Sequence, residues 1–308
     1  MATITSIGIG NMGAALASAY LKSGSLSQLI IWNRTADRPQ VKSLVEQGAH
    51  FEPSLPAAIA RSNTILICLL DYPSVNAIFD AISPGSLAGK TVINLTNGTP
   101  RQAREAEKRF KGALGAAAYF DGGIMSPPQQ IATPEASIIL SGEDETAFHA
   151  AGGPAELLKP LAAVHYVAGD VGAASLRDIS ALASMYGMFA GAFIGISLLQ
   201  KQKQPQQQQG SGKALTVPGT NAVIVPVLRE LVPYVSLLAE HVDKEDWMND
   251  LGNRLDMQAA VLHNILQTCE EEGVDGEALK SLSRVVDRAV ADGFGPGGLT
   301  AVNRYMFK

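Results

Sequence analysis

The chain has 308 residues, 46% of them hydrophobic, with 24 Lys and Arg against 29 Asp and Glu for a formal net charge of -5. That is enough apolar content for one large domain or two ordinary ones. The charges are interspersed and form no long basic tract to neutralise a phosphate backbone, which argues against nucleic acid as a partner. Two cysteines, Cys68 in an apolar strand-like run and Cys269 on a helix-like one, argue against a disulfide framework or a cysteine metal site and suit a reduced, cytoplasmic setting. The opening MATITSIGIG lacks the basic segment and long apolar block of a signal peptide.

The first strand is expected at TITSIGI and the first helix from Met12 to Ser23. Between them Gly8-Ile-Gly10-Asn-Met-Gly13 matches G-x-G-x-x-G, whose glycines allow a tight turn and bring the backbone up to a pyrophosphate at the helix N-terminus. The motif is weak alone, but it stands between a strand and an Ala-rich helix, as the mechanism requires. Gly8, Gly10, Asn11, Met12 and Gly13 are therefore candidate cofactor-binding residues. The second strand, QLIIWN, ends in Trp32-Asn33-Arg34-Thr35, with Arg38 a helical turn further on. A site for NAD usually has Asp or Glu here to bind the ribose hydroxyl, whereas a 2′-phosphate calls for Arg and neutral donors. Asn33, Arg34, Thr35 and Arg38 thus favour NADPH, and Asp37 lies too far along to act as the ribose acceptor. The competing reading is an exposed loop arginine with no ligand.

A helix from Asp37 to Gln47 follows, then strands at NTILICLL, TVINLT, AYFDG, ASIILSG and VHYVAG, with a further helix from Pro100 to Lys111. This alternation implies βαβ units around a mainly parallel sheet, with ligands beyond the carboxyl ends of the strands. Leu69, Leu70 and Asn97 occupy such ends, as does the loop from Asp121 to Pro128, which contains Met125. The Asn97 amide could bind a substrate or the nicotinamide ribose; Asn-Gly-Thr-Pro is equally a turn in which Thr99 caps a helix. Spacing alone leaves both open.

After Gly169 the strand signals stop, which divides the chain into a nucleotide-binding domain, 1–168, and a helical region, 169–308. Ile179 to Leu199 carries no charge and is long enough for a membrane span. Gly187, Gly191 and Gly195 form a ridge that lets another helix approach closely, so the expectation is a core helix buried on all sides and no membrane. The Gln-rich segment from Lys201 to Ala214 reads as an exposed loop or helix extension. The five histidines, at 50, 149, 165, 241 and 263, show no ligand spacing, and no metal is expected. Trp247 and Met257 are expected to fill a helical core.

Near the start of the long helix, Asp178 and Tyr186 are eight residues apart, which places them on roughly one face about 12 Å apart along the axis. Asp178 could instead be a helix-start carboxylate favoured by the dipole and paired with Arg177, and Tyr186 a core aromatic.

Taken together, the G-x-G-x-M-G loop, the sheet region, the long helix and the helical C-terminal half resemble the β-hydroxyacid dehydrogenase superfamily over essentially the whole chain. The dehydrogenases of that superfamily begin the long helix with Lys-x-x-Asn and hold a carboxylate with Ser-Gly-Gly. Here Ser175 and Asp178 stand in the first pattern, and GGIMSPP follows Asp121. The altered pattern is similar to the imine reductases, and more narrowly to the fungal reductive aminases, through Asn33-Arg34-Thr35, ICLLD, INLTNGTP, GGIM, ASLRD with Tyr186, and Asp256-Met257-Gln258.

The resemblance implies an α/β Rossmann-type N-terminal domain, a long interdomain helix and an all-α C-terminal domain forming an intertwined homodimer. It further implies NADPH as cofactor and small carbonyl and amine substrates. Asp178 and Tyr186 would lie by the nicotinamide, Asn97 would hold the carbonyl or aminal oxygen, and Gln258 would reach in from the partner subunit. Met125, Met257 and Val227 would line the pocket, Val227 standing where close relatives have tryptophan. A lysine suits a developing alkoxide and an aspartate suits a cation, so Asp178 fits deprotonation of an ammonium ion and stabilisation of an iminium. The rival readings are an NADP-dependent 3-hydroxyacid dehydrogenase or carbonyl reductase with another proton donor, and a non-catalytic NADPH-binding regulator.

Overall fold

The computed structural model describes residues 2–201 and 216–307; most of the Gln-rich segment lies outside them. Eight strands form one sheet: β1 (Ala2–Ile7), β2 (Leu26–Trp32), β3 (His50–Phe51), β4 (Thr64–Ile67), β5 (Thr91–Asn94), β6 (Ala118–Ile124), β7 (Ser137–Gly142) and β8 (Ala163–Tyr166), in spatial order 3-2-1-4-5-6-7-8. β1 to β6 run parallel; β7 is antiparallel to β6, and β8 is parallel to β7. The chain leaves β1 toward β2 on one side and returns as β4 on the other, so the β1/β4 gap is a topological switch point, where open α/β sheets bind ligands.

The helices of this part are α1 (Asn11–Ser23), α2 (Pro39–Glu46), α3 (Leu55–Ala60), α4 (Tyr72–Phe79), α5 (Pro100–Lys108), α6 (Glu145–His149) and α7 (Pro154–Leu158). The period-two alternation of each strand divides the core between the two faces. Leu66, Ile93 and Phe120 pack with Leu16 and Tyr20 of α1, while Ile65, Ile67, Val92 and Tyr119 pack with Val75 and Phe79 of α4 and with Phe110. Two residues beyond Val92 and Tyr119, the same alternation brings Asn94 and Asp121 round to the second face, paired in register. Both are 0% exposed.

The long helix α8 (Ala173–Gln200) is followed by α9 (Thr216–Gly219), a π-helical turn over Thr220–Ile224, and α10 (Val225–Asp243) with Pro233 inside it; α11 (Leu255–Glu272) and α12 (Glu277–Ala289) complete the helices. The chain forms two compact units, Met1–Ala183 and Ser184–Lys308. The second has a small core of Leu255, Ala259, Val286, Ala289, Ala301 and Val302, against which Trp247 packs as expected. Met257, expected there too, is instead exposed.

The expectation of a fully buried α8 is also overturned. Only 6% of its most apolar window is buried, and 0% of that in Thr216–Asp243. Tyr186, Met188, Phe189 and Phe193 of α8 are exposed, as are Val227, Leu231, Val232 and Val235 of α10. Within one chain these side chains find too few apolar neighbours among the described residues to cover them.

Candidate active site

At the switch point a cleft of about 480 Å³ is lined by Gly8, Gly10, Asn11, Met12 and Gly13, by Asn33, Arg34, Thr35 and Arg38, and by Leu69 and Leu70. All of these were read from the sequence. Trp32, Cys68, Ser74 and Ile78 also line it and were missed, because no motif marks them. Burial pushes the Cys68 thiol up to about 12, so it stays protonated and inert.

The glycines of the loop serve different ends. Gly8 has a φ of 97° and lies against β4's end, where a Cβ would fall 2.3 Å from the Cys68 carbonyl oxygen. At Gly13 a Cβ would meet the Gly8 carbonyl oxygen at 1.9 Å, so only glycine lets α1 pack this close to the turn. A Cβ on Gly10 would meet nothing within 4 Å, leaving room for a ligand. The N-terminus of α1 has neither a side-chain cap nor an acidic residue in its first turn. By contrast α3, α4, α5 and α6 are capped by Ser54, Asp71, Thr99 and Asp144. An open helix N-terminus beside a glycine cradle suits a pyrophosphate.

Asn33 is spent on architecture: its Oδ1 accepts from the Ile9 amide at 3.0 Å and its Nδ2 donates to the Thr35 carbonyl at 2.8 Å, fastening the glycine loop to the end of β2. Arg34, Thr35 and Arg38 are exposed at the cleft. Asp37 pairs with Lys42 at 3.5 Å, and Arg34 has no ion-pair partner among the described residues. These groups fit a phosphate on the ribose better than a bare hydroxyl.

The turn reading of Asn97-Gly-Thr-Pro is the one seen. Thr99 caps α5 with a capping box to Gln102, while Asn97 turns away and its Nδ2 donates to Asp178 Oδ2 at 2.7 Å. Asp178 is 7% exposed, and desolvation outweighs the Asn97 hydrogen bond to raise its carboxyl above the usual range. Its other oxygen accepts no hydrogen bond among the described residues. The surface pairing with Arg177 is therefore not its role. Gly123 makes the space, since a Cβ there would lie 2.8 Å from Asp178 Cγ.

Ser175, in the position of the superfamily's lysine, is 4% exposed and donates to Asp121 Oδ1 at 2.8 Å. Desolvation raises the Asp121 carboxyl to about 6 against hydrogen bonds that lower it, and the Asp178 charge adds to the rise. Because the native state then holds a proton that the unfolded chain releases near 3.8, this group's contribution to stability falls as pH rises from about 4 to about 6. Two pH units correspond to roughly 3 kcal/mol. Thermal unfolding across pH 4–7 should therefore show Asp121→Asn gaining on the wild type as pH rises; parallel curves would contradict the raised value.

Met125 is at the edge of the same sheet unit and 36% exposed, its amide donating to the Ser137 carbonyl. Tyr186, Val227, Met257 and Gln258 belong to the second unit. Tyr186 lies further along α8, 65% exposed with its ring edge-on to Phe189, and is not a core aromatic. Val227 and Met257 are exposed, and Gln258 is half-buried on α11.

A glycine-loop cleft at the switch point of a doubly wound sheet, with a buried carboxylate at the neighbouring strand ends, defines a dinucleotide-binding protein of the oxidoreductase type. Residues 3–169 match the NAD binding domain of 6-phosphogluconate dehydrogenase, and residues 170–307 match the NADPH-dependent reductive aminase-like C-terminal domain. An NADPH-dependent reductive aminase of Aspergillus oryzae is 34% identical over 97% of this chain and 95% of its own. The chain belongs to the reductive aminase family. Among solved structures, a reductive aminase from Aspergillus terreus in complex with NADPH and ethyl-5-oxohexanoate is 35% identical, with both chains fully covered and a TM-score of 0.87. An imine reductase from the same organism, in complex with NADPH4 and dibenz[c,e]azepine, is 36% identical over 99% of each chain, with a TM-score of 0.82.

Proposed function

We propose that this chain is an NADPH-dependent reductive aminase and imine reductase, which couples a small carbonyl compound with an amine and reduces the resulting C=N bond. The observation that carries this reading is Asp178: a buried carboxylate with one oxygen fastened by Asn97 and the other free to meet a cation. Gly10 to Gly13 would hold the pyrophosphate of NADPH, and Arg34, Thr35 and Arg38 its 2′-phosphate, and the cofactor so bound would supply the hydride. Asp178 takes a proton from the ammonium ion, and the freed amine attacks the carbonyl carbon. One proton passes from nitrogen to the former carbonyl oxygen, protonated Asp178 returns its own proton to that hydroxyl, which leaves as water from its hold on Asn97, and the Asp178 anion so regenerated stabilises the iminium that accepts hydride. Tyr186 orients the nitrogen, and Met125, Val227 and Met257 shape the pocket. Ser175, tied to Asp121, cannot replace the lysine of a hydroxyacid dehydrogenase, which counts against that rival.

The exposed apolar faces of α8 and α10 are read as the contact between two copies, which work in the cytoplasm as a homodimer without membrane attachment, Gln258 of one copy completing the other's site. The functional division falls at 168/169. Light scattering on the purified protein should give twice the chain mass, and Phe193→Glu or Val232→Glu should halve it. A wild-type monomer would overturn the dimer.

The function itself is tested by following NADPH consumption with a cyclic imine, with ketone plus excess primary amine, and with ketone alone. Consumption in the first two and not the third supports C=N reduction; activity confined to ketone, or to hydroxyacid with NADP, overturns it.

A further inference from the structure

Behind Asp178 lies a second carboxyl group that the proposed chemistry leaves unused. Asp121 is 0% exposed, and four donors converge on it. Tyr72 and Tyr119 donate to Oδ2, the latter at 2.9 Å, Asn94 approaches the same oxygen at 3.5 Å, and Ser175 donates to Oδ1 at 2.8 Å. The hydroxyls of Tyr72, Tyr119 and Ser175 can donate to a carboxylate, and their hydrogen bonds hold the group down against the burial that raises it to about 6, so above that pH Asp121 is an anion.

Two links run from this anion to the site. Ser175 precedes Asp178 by one helical turn. Asn94 accepts from the Thr96 amide at 3.1 Å, and Thr96 Oγ1 accepts from the Leu69 amide at 3.1 Å. Those bonds set the strand end that carries Asn97 and the one that lines the cofactor cleft.

We propose that Asp121 is a positioning residue for Asp178: its buried negative charge holds the Asp178 turn and the Asn97 strand end together and makes Asp178 the stronger base toward an ammonium substrate. This rests on the reading of Asp178 as the general base. The titratable groups facing Asp121 are Tyr72 from α4, Tyr119 from its own strand and Asp178 from α8. Asn94 and Ser175 are neutral, and the residue opposite on β7, Ser141, donates its hydroxyl to the Val171 carbonyl. No lysine, arginine or histidine hydrogen-bonds to Asp121 among the described residues. The Asp178 charge raises the Asp121 carboxyl, and a charge interaction acts on both of its partners.

The test compares full-length wild type, Asp121→Asn and Ser175→Ala in reductive amination of a ketone by a primary amine at saturating NADPH from pH 5 to 9. Activity requires the Asp178 anion and so falls on the acidic limb. Asp121→Asn removes a like charge and should move that limb to lower pH, with kcat reduced by about tenfold and the KM for NADPH within about twofold of wild type. Ser175→Ala removes a donor that stabilises the Asp121 anion, so Asp121 ionises at higher pH, repels Asp178 less over the acidic limb, and should move that limb to lower pH, by less than Asp121→Asn does. A downward shift in both variants, larger in Asp121→Asn, is the signature of a like charge removed in full and in part. Limbs that stay put, or that move to higher pH, overturn the proposal. Should Asp121→Asn fail to fold, Ser175→Ala decides alone, a downward shift supporting the proposal and an unmoved or upward-shifted limb overturning it. Asp178→Asn, run in parallel, separates the two readings. If it keeps full turnover, the general-base reading falls and takes this one with it; if it loses turnover while the Asp121 and Ser175 variants keep the wild-type limb, only the role of Asp121 falls.

Discussion

Asp178→Asn should bind NADPH within about twofold of wild type yet lose turnover with ketone and amine by about 10²- to 10⁴-fold, the range that a positioned acid or base contributes. The substitution keeps the shape of the side chain, and Asn97, which donates to Oδ2 at 2.7 Å, can donate equally to an amide oxygen. What disappears is the negative charge. Its burial raises the carboxyl above the ordinary range, so neutralising it relieves a desolvation cost and should leave the melting temperature unchanged or slightly higher above neutral pH. Steady-state kinetics beside a fluorescence titration of NADPH separates lost chemistry from lost binding. Full turnover in a folded variant would remove Asp178 from the reaction.

The second large effect is on cofactor choice. Arg34→Ala should weaken NADPH by about 10- to 100-fold, the equivalent of one charged hydrogen bond at roughly 1.5–3 kcal/mol, while NADH changes by no more than about threefold. Arg34 is exposed at the mouth of the cleft, so its loss costs the fold little. Asn33 would behave differently. Its amide joins the Ile9 backbone to that of Thr35, so truncating it should weaken both cofactors together. Dissociation constants for NADPH and NADH distinguish the two, and equal losses on Arg34→Ala would contradict the phosphate assignment.

The nucleotide half of the fold was legible because its signals are local. Alternating apolar runs define the strands, the glycine loop sits where a strand meets a helix, and Asn33-Arg34-Thr35 follows β2 directly. The two-residue β3 and the short helices α3, α4, α6 and α7 were not read, since so few residues carry no period of their own. Asp178 was visible as a charge at the head of an apolar helix, but its bond to Asn97 crosses 81 positions and no spacing rule reaches that far. The Asp121 cluster was hidden for the same reason, gathering Tyr72, Asn94, Tyr119 and Ser175 from four elements. The exposure of α8 was misjudged because apolar sequence shows that a surface wants covering and is silent about what covers it.

The most direct test of C=N reduction follows the hydride itself. NADPH carrying deuterium at the transferable position of the nicotinamide is supplied with a ketone and a primary amine, and the product is examined by mass spectrometry and NMR. One deuterium on the carbon bonded to nitrogen, formed by wild type and lost with Asp178→Asn, is the predicted result. Deuterium found only in an alcohol, on the carbon bonded to oxygen, would contradict it.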